Sequence, residues 1–550
     1  MTPRPRATRS MFRVIGIVWR DSPRALLVYL GASAISAASL GAALILLRRL
    51  INQILDGTLQ WRDGLAFAVV LVLQQACASL TEREAILLRQ RISARVNSDI
   101  QQILPAVPYS SFEDTAFQAE YGMLVREASF KPATLIDSIL QGALAFFTIA
   151  AVTIALLPIM PLAGLVLLAL LVPVMLAERR LRGRMLDLQT YHAADLLRMQ
   201  YISQSSVDPD WQRDLRACGS DLLSREYADL SKRYLAGLSA VISRIQRVRF
   251  LTGLSSLVIF GVLFALVARA VARHTLNAAD ALTLVTGGYY LASRVSSISA
   301  SIGAGIESTD FMARVFAFID AYPRPGGAAT GSGLAVLSPG AITLSSVCYA
   351  YPRSPVPALR DVDMTIEPGV TAIIGANGAG KSTLVKILAG LISPSAGEVR
   401  LADRAGQPMR RDDLRVAVMF QHPAQLRLTV RQNVTMRDSS EPGGDDRVWE
   451  VLEEVGLADP VRALPQGLDS VLGGGFGADA NLSGGQWQRL ALARVLYRDA
   501  QLVILDEPSS HLDAEAESRL LRMLTQGFTD RMVVVVTWAG LERRDHHPGP

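Results

Sequence analysis

Apolar residues in this 550-residue chain are gathered into runs long enough to cross a lipid bilayer, and that restricts its fold more than any other feature. Two runs occupy residues 25–47 and 64–80. Two more occupy 133–157 and 160–177, with a short turn around Pro158 and Pro161 between them. A fifth covers 250–268, and a sixth, more polar, extends over about 277–304. Each supplies roughly the twenty residues with which a helix traverses about 30 Å of hydrocarbon. In that medium the backbone must satisfy its own polar groups, so every run is predicted to be helical. Composition agrees: only 19% of residues are charged, against about a quarter in soluble domains.

Six spans return both ends of the chain to one side. About fifty polar, helix-prone residues separate the second and third spans and about seventy the fourth and fifth, whereas the other connections are short. The pattern predicts helices that continue well beyond the bilayer on one side. Arginines in "EREAILLRQRISARV" and "ERRLRGRM" assign that side to the cytoplasm, while Arg48, Arg49, Arg269 and Arg273 fall on the outer side and oppose the rule. The net charge of +5 is carried almost wholly by arginine and is spread along the chain. A nucleic-acid partner would need it collected into a stripe; anionic headgroups are the better match. Residues 1–24 read as a cytoplasmic leader, since no small-residue cleavage site follows a short apolar core. Cys77, Cys218 and Cys348 are widely separated and form neither a metal spacing nor a disulfide framework.

After the sixth span the texture changes. "PRPGGAATGSG" (323–333) opens a flexible linker assigned to 323–338. From 339 to 550, β-branched strands alternate with helical stretches, as in "VTAIIG" followed by "GKSTLVKILAGLI", which predicts a parallel α/β domain. The expected fold class is therefore a multi-domain membrane protein: an all-α six-helix transmembrane domain over 25–322, then an α/β P-loop domain over 339–550.

Three motifs in the second domain carry chemistry. In "GANGAGKST" the glycines let backbone N–H groups surround phosphates at a helix N-terminus; Lys381 neutralises the terminal phosphates and Ser382 offers its hydroxyl to Mg²⁺. The strand "QLVILDEP" ends in two acids, of which Asp506 suits a Mg²⁺ contact and Glu507 suits a general base for water. "NLSGGQWQRLALARVL" is a Ser-Gly-Gly turn opening a helix, a second anion-binding surface. Two such surfaces on one chain predict a sandwich in which each copy closes over the nucleotide of the other.

The order "GANGAGKST", "VMFQHP", "LSGGQ", "VILDEPSSHLD" resembles that of ATP-binding cassette (ABC) transporters over essentially all of 340–537, and six spans ahead of one cassette resemble an exporter half-transporter. The resemblance implies ATP and Mg²⁺ as ligands, a multi-pass place in the cell (inner or plasma) membrane with the cassette in the cytoplasm, and a second half-transporter, identical or different, as partner. It implies that Tyr351 stacks on adenine. Gly375, Asn377, Gly378, Gly380, Lys381, Ser382 and Thr383 would bind phosphate and metal. Gln421 would sense Mg²⁺ and water and couple to the spans. Ser483, Gly484, Gly485 and Gln486 would touch the partner's ATP, and Asp513 would close the dimer seam.

One position departs from the family pattern. Where a histidine normally contacts the γ-phosphate, this sequence has Trp538, in "RMVVVVTWAGLERRDHHPGP", and the cassette is expected to be shortened at its C-terminus. Three readings stay open: a slow ATPase half that lends its "LSGGQ" to a competent partner, activity through Glu507 alone, or a shifted reading frame near Trp538. For cargo, "LPAVPYSSFEDTAFQAEYG" (104–122) resembles the first cytoplasmic loop of bacterial peptide and lantibiotic exporters, which implies a peptide natural product. Multidrug or lipid efflux, uptake, and a membrane-anchored regulator that moves nothing are the alternatives.

Overall fold

The computed structural model describes residues 7–159, 193–206, 209–219, 221–273, 276–322, 339–352, 354, 356–437, 445–473, 480–509, 517–520, 522–523 and 531–537. The chain divides into two units, residues 1–106 with 120–325, and residues 107–119 with 326–550. The predicted fourth span at 160–177 and the linker at 323–338 lie outside the described residues.

Among the described residues the first unit is helical. Its elements are α1 (Ala7–Asp21), α2 (Pro23–Leu55), α3 (Trp61–Ile103), then α4 (Tyr109–Phe112) in the segment that groups with the second unit, α5 (Thr115–Ala128), α6 (Lys131–Leu156), α7 (Ala193–Ser205), α8 (Pro209–Cys218), α9 (Asp221–Ala272) and α10 (Ala278–Ala321). Among the described residues α2, α6 and the helical stretch that begins with α3 are long and apolar enough to cross a membrane. The fifth and sixth predicted spans fall within α9 and α10. At 1.5 Å per residue, α3 is about 65 Å long and α9 about 78 Å, more than twice a hydrocarbon layer, as the long polar connections required.

Ion pairs explain two features that the sequence left loose. The leader is not a free tail: α1 packs on α10, where Arg13 grips Asp320 through two hydrogen bonds of 2.7 and 2.9 Å. Arg48, which opposed the charge rule, pairs with Asp280 of α10. Beside it the Asn277 amide donates to Asn52 at 3.1 Å. The pairing gives Arg48 a counter-charge within the helical unit itself. Between these pairs the interior is apolar, with Leu40, Leu44, Val152, Leu156, Leu284 and Leu291 in one cluster. Gly287 lies where a Cβ would come within 2.9 Å of the Leu156 side chain, so the small residues of the sixth predicted span serve close packing at that point.

The second unit carries strands β1 (Pro339–Tyr349), β2 (Leu359–Ile366), β3 (Gly369–Ile374), β4 (Ala396–Asp403), β5 (Val416–Met419), β6 (Leu502–Asp506) and β7 (Met532–Thr537). Its helices are α11 (Lys381–Leu388), α12 (Val430–Thr435), α13 (Asp445–Glu454), α14 (Ala458–Arg462) and α15 (Gly484–Tyr497). Strands β2, β1 and β4 make an antiparallel sheet; β3, β7, β6 and β5, in that order, make a parallel one. "LVILD" and "MVVVVT" are buried along their whole length, the unbroken apolar run expected of strands covered on both faces. Val503 and Leu505 enter one core with α15, while Leu502 and Ile504 enter the other with α11.

Ile504 has no exposed surface. Ile504→Ala should therefore cost about 2–5 kcal/mol, read as a lowered thermal midpoint for the second unit in the purified full chain. An unchanged midpoint would contradict this packing.

Candidate functional site

Parallel pairing brings the loop-bearing ends of the strands to one edge. Ile374 pairs with Thr537, Asp506 with Val536, and Met419 with Leu505. The loop from Gly375, the acidic pair at 506 and 507, and Gln421 are thereby gathered, although about 130 residues separate the first two in sequence.

The Gly375–Gly380 loop leads directly into α11, whose first N–H groups have no intrahelical acceptor. Gly380 has φ +91°, and a Cβ there would stand 2.5 Å from the Ala358 carbonyl oxygen, so only glycine fits. Gly378, at φ +82°, also requires the left-handed region. The Lys381 ammonium folds back over the loop and donates to the carbonyls of Gly375 at 2.7 Å and Ala376 at 3.0 Å. Ser382 is exposed and free to meet a ligand, while Thr383 is buried and its hydroxyl lies 3.2 Å from that of Tyr351. Tyr349 and Tyr351 meet edge to face with ring centres 5.0 Å apart. The helix that the glycine loop opens and the tyrosine pair are thus joined through Thr383.

At the tip of β6, Glu507 adopts φ +51°, a conformation that costs a non-glycine residue about 1–2 kcal/mol. Its own N–H donates to the Val536 carbonyl at 2.9 Å. The Gln488 amide donates to the carbonyls of Glu507 and Pro508 at 3.4 and 3.1 Å. Held this way, the Glu507 carboxylate accepts a hydrogen bond of 2.7 Å from the Gln421 amide. Gln488 is buried on α15, two residues past the signature turn. Sequence reasoning passed over it; the available signal was a glutamine on the apolar face of an amphipathic helix.

Burial raises the Asp506 pKa above the ordinary carboxylate value, the Glu507 carboxylate raises it further, and Lys381 pulls the other way. The oxygen donors of Ser382, Asp506 and Gln421 are the hard ligands that Mg²⁺ prefers, so the residues present suit that ion. On α15, Ser483 caps the helix: its hydroxyl accepts from the Gln486 N–H at 3.4 Å, and its N–H donates to the Gln486 side chain at 2.8 Å. The Gln486 side-chain oxygen thus helps shape the turn, with Gly484 and Gly485 beginning the helix. The candidate residues Asp513 and Trp538 lie outside the described residues.

Residues 359–510 match the family described as ABC transporter. The chain is 38% identical over 184 residues to the nisin transport ATP-binding protein NisT of Lactococcus lactis subsp. lactis, covering 33% of this chain and 31% of that protein. It is 33% identical over 258 residues to an ATP-dependent lipid A-core flippase of Chromobacterium violaceum, covering 46% and 42%. With the mycobactin import ATP-binding/permease protein IrtA of Mycolicibacterium thermoresistibile it shares 32% over 201 residues, covering 36% and 21%. The chain thus spans well under half the length of these relatives. The flippase match is longer than the 212 residues from 339 to 550, so it reaches into sequence ahead of the cassette. Residues 359–510 of the second unit thus form an ABC transporter domain, similar to those of these transport, flippase and import proteins.

Two outcomes are expected. Gly380→Ala should weaken nucleotide binding about tenfold or more, the equivalent of about 1.4 kcal/mol, as measured by titration with a fluorescent ATP analogue; retained affinity would contradict the clash. A raised folded-state pKa means that the folded chain holds the Asp506 proton more tightly than the unfolded chain does. Ionising this group therefore removes stability as pH climbs from about 4 through the raised value. Asp506→Asn should raise the thermal midpoint at pH 7, and the gain should shrink on acidification.

Proposed function

We propose that this chain is one half of an ATP-driven exporter, in which two cassettes close on two ATP molecules and thereby reorient a membrane bundle of six spans per half. The 2.7 Å hydrogen bond between Gln421 and Glu507, at the strand edge that also bears the phosphate loop, is the observation that carries this reading. It positions a carboxylate to take a proton from water as the water attacks the γ-phosphorus and the bridging P–O bond to ADP breaks. Lys381 and the α11 N-terminus neutralise the phosphates. Ser382, Asp506 and Gln421 would hold Mg²⁺, which would supply charge neutralisation to the phosphates. Tyr351 would stack on the base. Ser483, Gly484, Gly485 and Gln486 would face the ATP bound by the other half, and Asp513 would close the seam.

ATP binding performs mechanical work only to the extent that the closed pair binds it better than the open pair. The long helices α3 and α9, which extend far beyond a bilayer's thickness, are suited to convey such closure. A peptide is the favoured cargo, supported by the likeness of 104–122 to peptide exporters and by the similarity to a nisin transport protein. Lipid is the second reading, favoured by the flippase match that extends ahead of the cassette.

The test is reconstitution in proteoliposomes with ATP turnover, uptake of peptide extracts and lipid flipping measured side by side. Glu507→Gln is expected to slow turnover about 10²–10⁴-fold while leaving ATP bound. Wild-type turnover in that variant, or ATP-driven movement of neither cargo class, would refute the proposal. Trp538→His should raise turnover; an unaltered rate would mean that residue 538 does not limit hydrolysis.

A further inference from the structure

The segment 107–119, which belongs to the second unit, places Glu113 against α11. Its carboxylate accepts a hydrogen bond of 2.6 Å from the Lys386 ammonium, and both side chains are only 22% exposed. The same ammonium lies 3.4 Å from the Tyr351 hydroxyl and 5.4 Å from the centre of its ring. Those two distances place it at the hydroxyl end of the ring, so it fixes the side chain without covering the face on which a base would stack. It also sits 5.7 Å from the centre of the Tyr109 ring. Lysine is scarce here, four residues in all against a background of arginine. A compact ammonium with three donors can serve two oxygens at once, where a planar guanidinium would favour the carboxylate fork. Burial works against the Lys386 charge, yet Glu113 and Tyr351 outweigh it and leave the pKa above the ordinary lysine value.

We infer that Glu113 is a positioning residue of the nucleotide site: through Lys386 it holds the Tyr351 ring, so that ATP affinity depends on the 107–119 segment as well as on the cassette. This rests on reading 375–383 as an ATP site. Ser382 and Lys386 are four residues apart on α11 and therefore share a face, so one short helix holds both the hydroxyl offered to Mg²⁺ and the anchor of the platform. Thr383 closes the circuit by meeting the same Tyr351 hydroxyl.

The full-length protein in lipid nanodiscs provides the experiment, with KM and kcat for ATP measured alongside the thermal midpoint. Glu113→Gln and Lys386→Met are each expected to raise KM for ATP about fivefold, with kcat within about twofold of the parent, a loss of roughly 1 kcal/mol. The reversed pair, Glu113→Lys with Lys386→Glu, should recover most of the KM, which a purely structural effect would not do. Lys381→Ala serves as the control for the premise. If it hydrolyses ATP like the parent, the ATP-site reading falls and the inference with it. If Lys381→Ala is inactive but Glu113→Gln keeps the parental KM, or the reversed pair is as impaired as each single variant, the inference alone is overturned.

Discussion

Everything in the second unit follows from the register of four parallel strands. Because β3, β7, β6 and β5 all run the same way, the segments leaving them emerge at one edge, and three chemically distinct pieces meet there without any of them being close in sequence. Burial of the two central strands, β7 and β6, on both faces is the condition for this. A β6 with a solvated face would have no reason to lie between β7 and β5, and its two terminal acids would point into water rather than toward the phosphate loop. The hydrophobic content of "LVILD" is thus a positional requirement of the site as much as a contribution to stability.

Strain and its compensation are concentrated at the same place. Glu507 sits in a left-handed conformation that bulky residues avoid, and its backbone is held from two sides, by Val536 and by Gln488. The twist releases the Glu507 side chain from the alternation of the strand and turns it toward Gln421. Asp506 one residue earlier keeps the strand geometry and stays buried. Two adjacent carboxylates therefore occupy different environments: Asp506 with a pKa raised by burial, Glu507 half-exposed and hydrogen-bonded. Environments of this sort separate the duties of paired acids.

The phosphate loop, the acidic strand, the capped Ser-Gly-Gly helix and the long helices of the first unit were all legible in the sequence, because each rests on local rules of glycine conformation, strand burial, capping or apolar run length. What escaped were pairings across long sequence distances. Nothing around Arg48 announces Asp280, 232 positions away. Likewise, Glu113 and Lys386 are 273 apart and individually look like surface charges. Gln488 showed only as a glutamine on the apolar face of its helix; its partners are two main-chain carbonyls, which side-chain patterning does not identify. Arg48, by contradicting the charge rule, gave warning that such a partner was needed.

The weight on Lys386 can be argued from geometry alone. Helix α11 is eight residues long, about 12 Å, too short to bend appreciably and packed along one side by Leu384, Val385, Ile387 and Leu388. A rigid body of that size moves as one piece. Anything that draws its first turn toward phosphate must shift Lys386 with it, and Lys386 is tied to both Glu113 and Tyr351. In the proposed reading, with phosphates on the first turn and base on the ring, the two ends of a nucleotide would pull on the same element. The 107–119 segment is the third party to that connection, and the only one contributed from outside the contiguous cassette sequence.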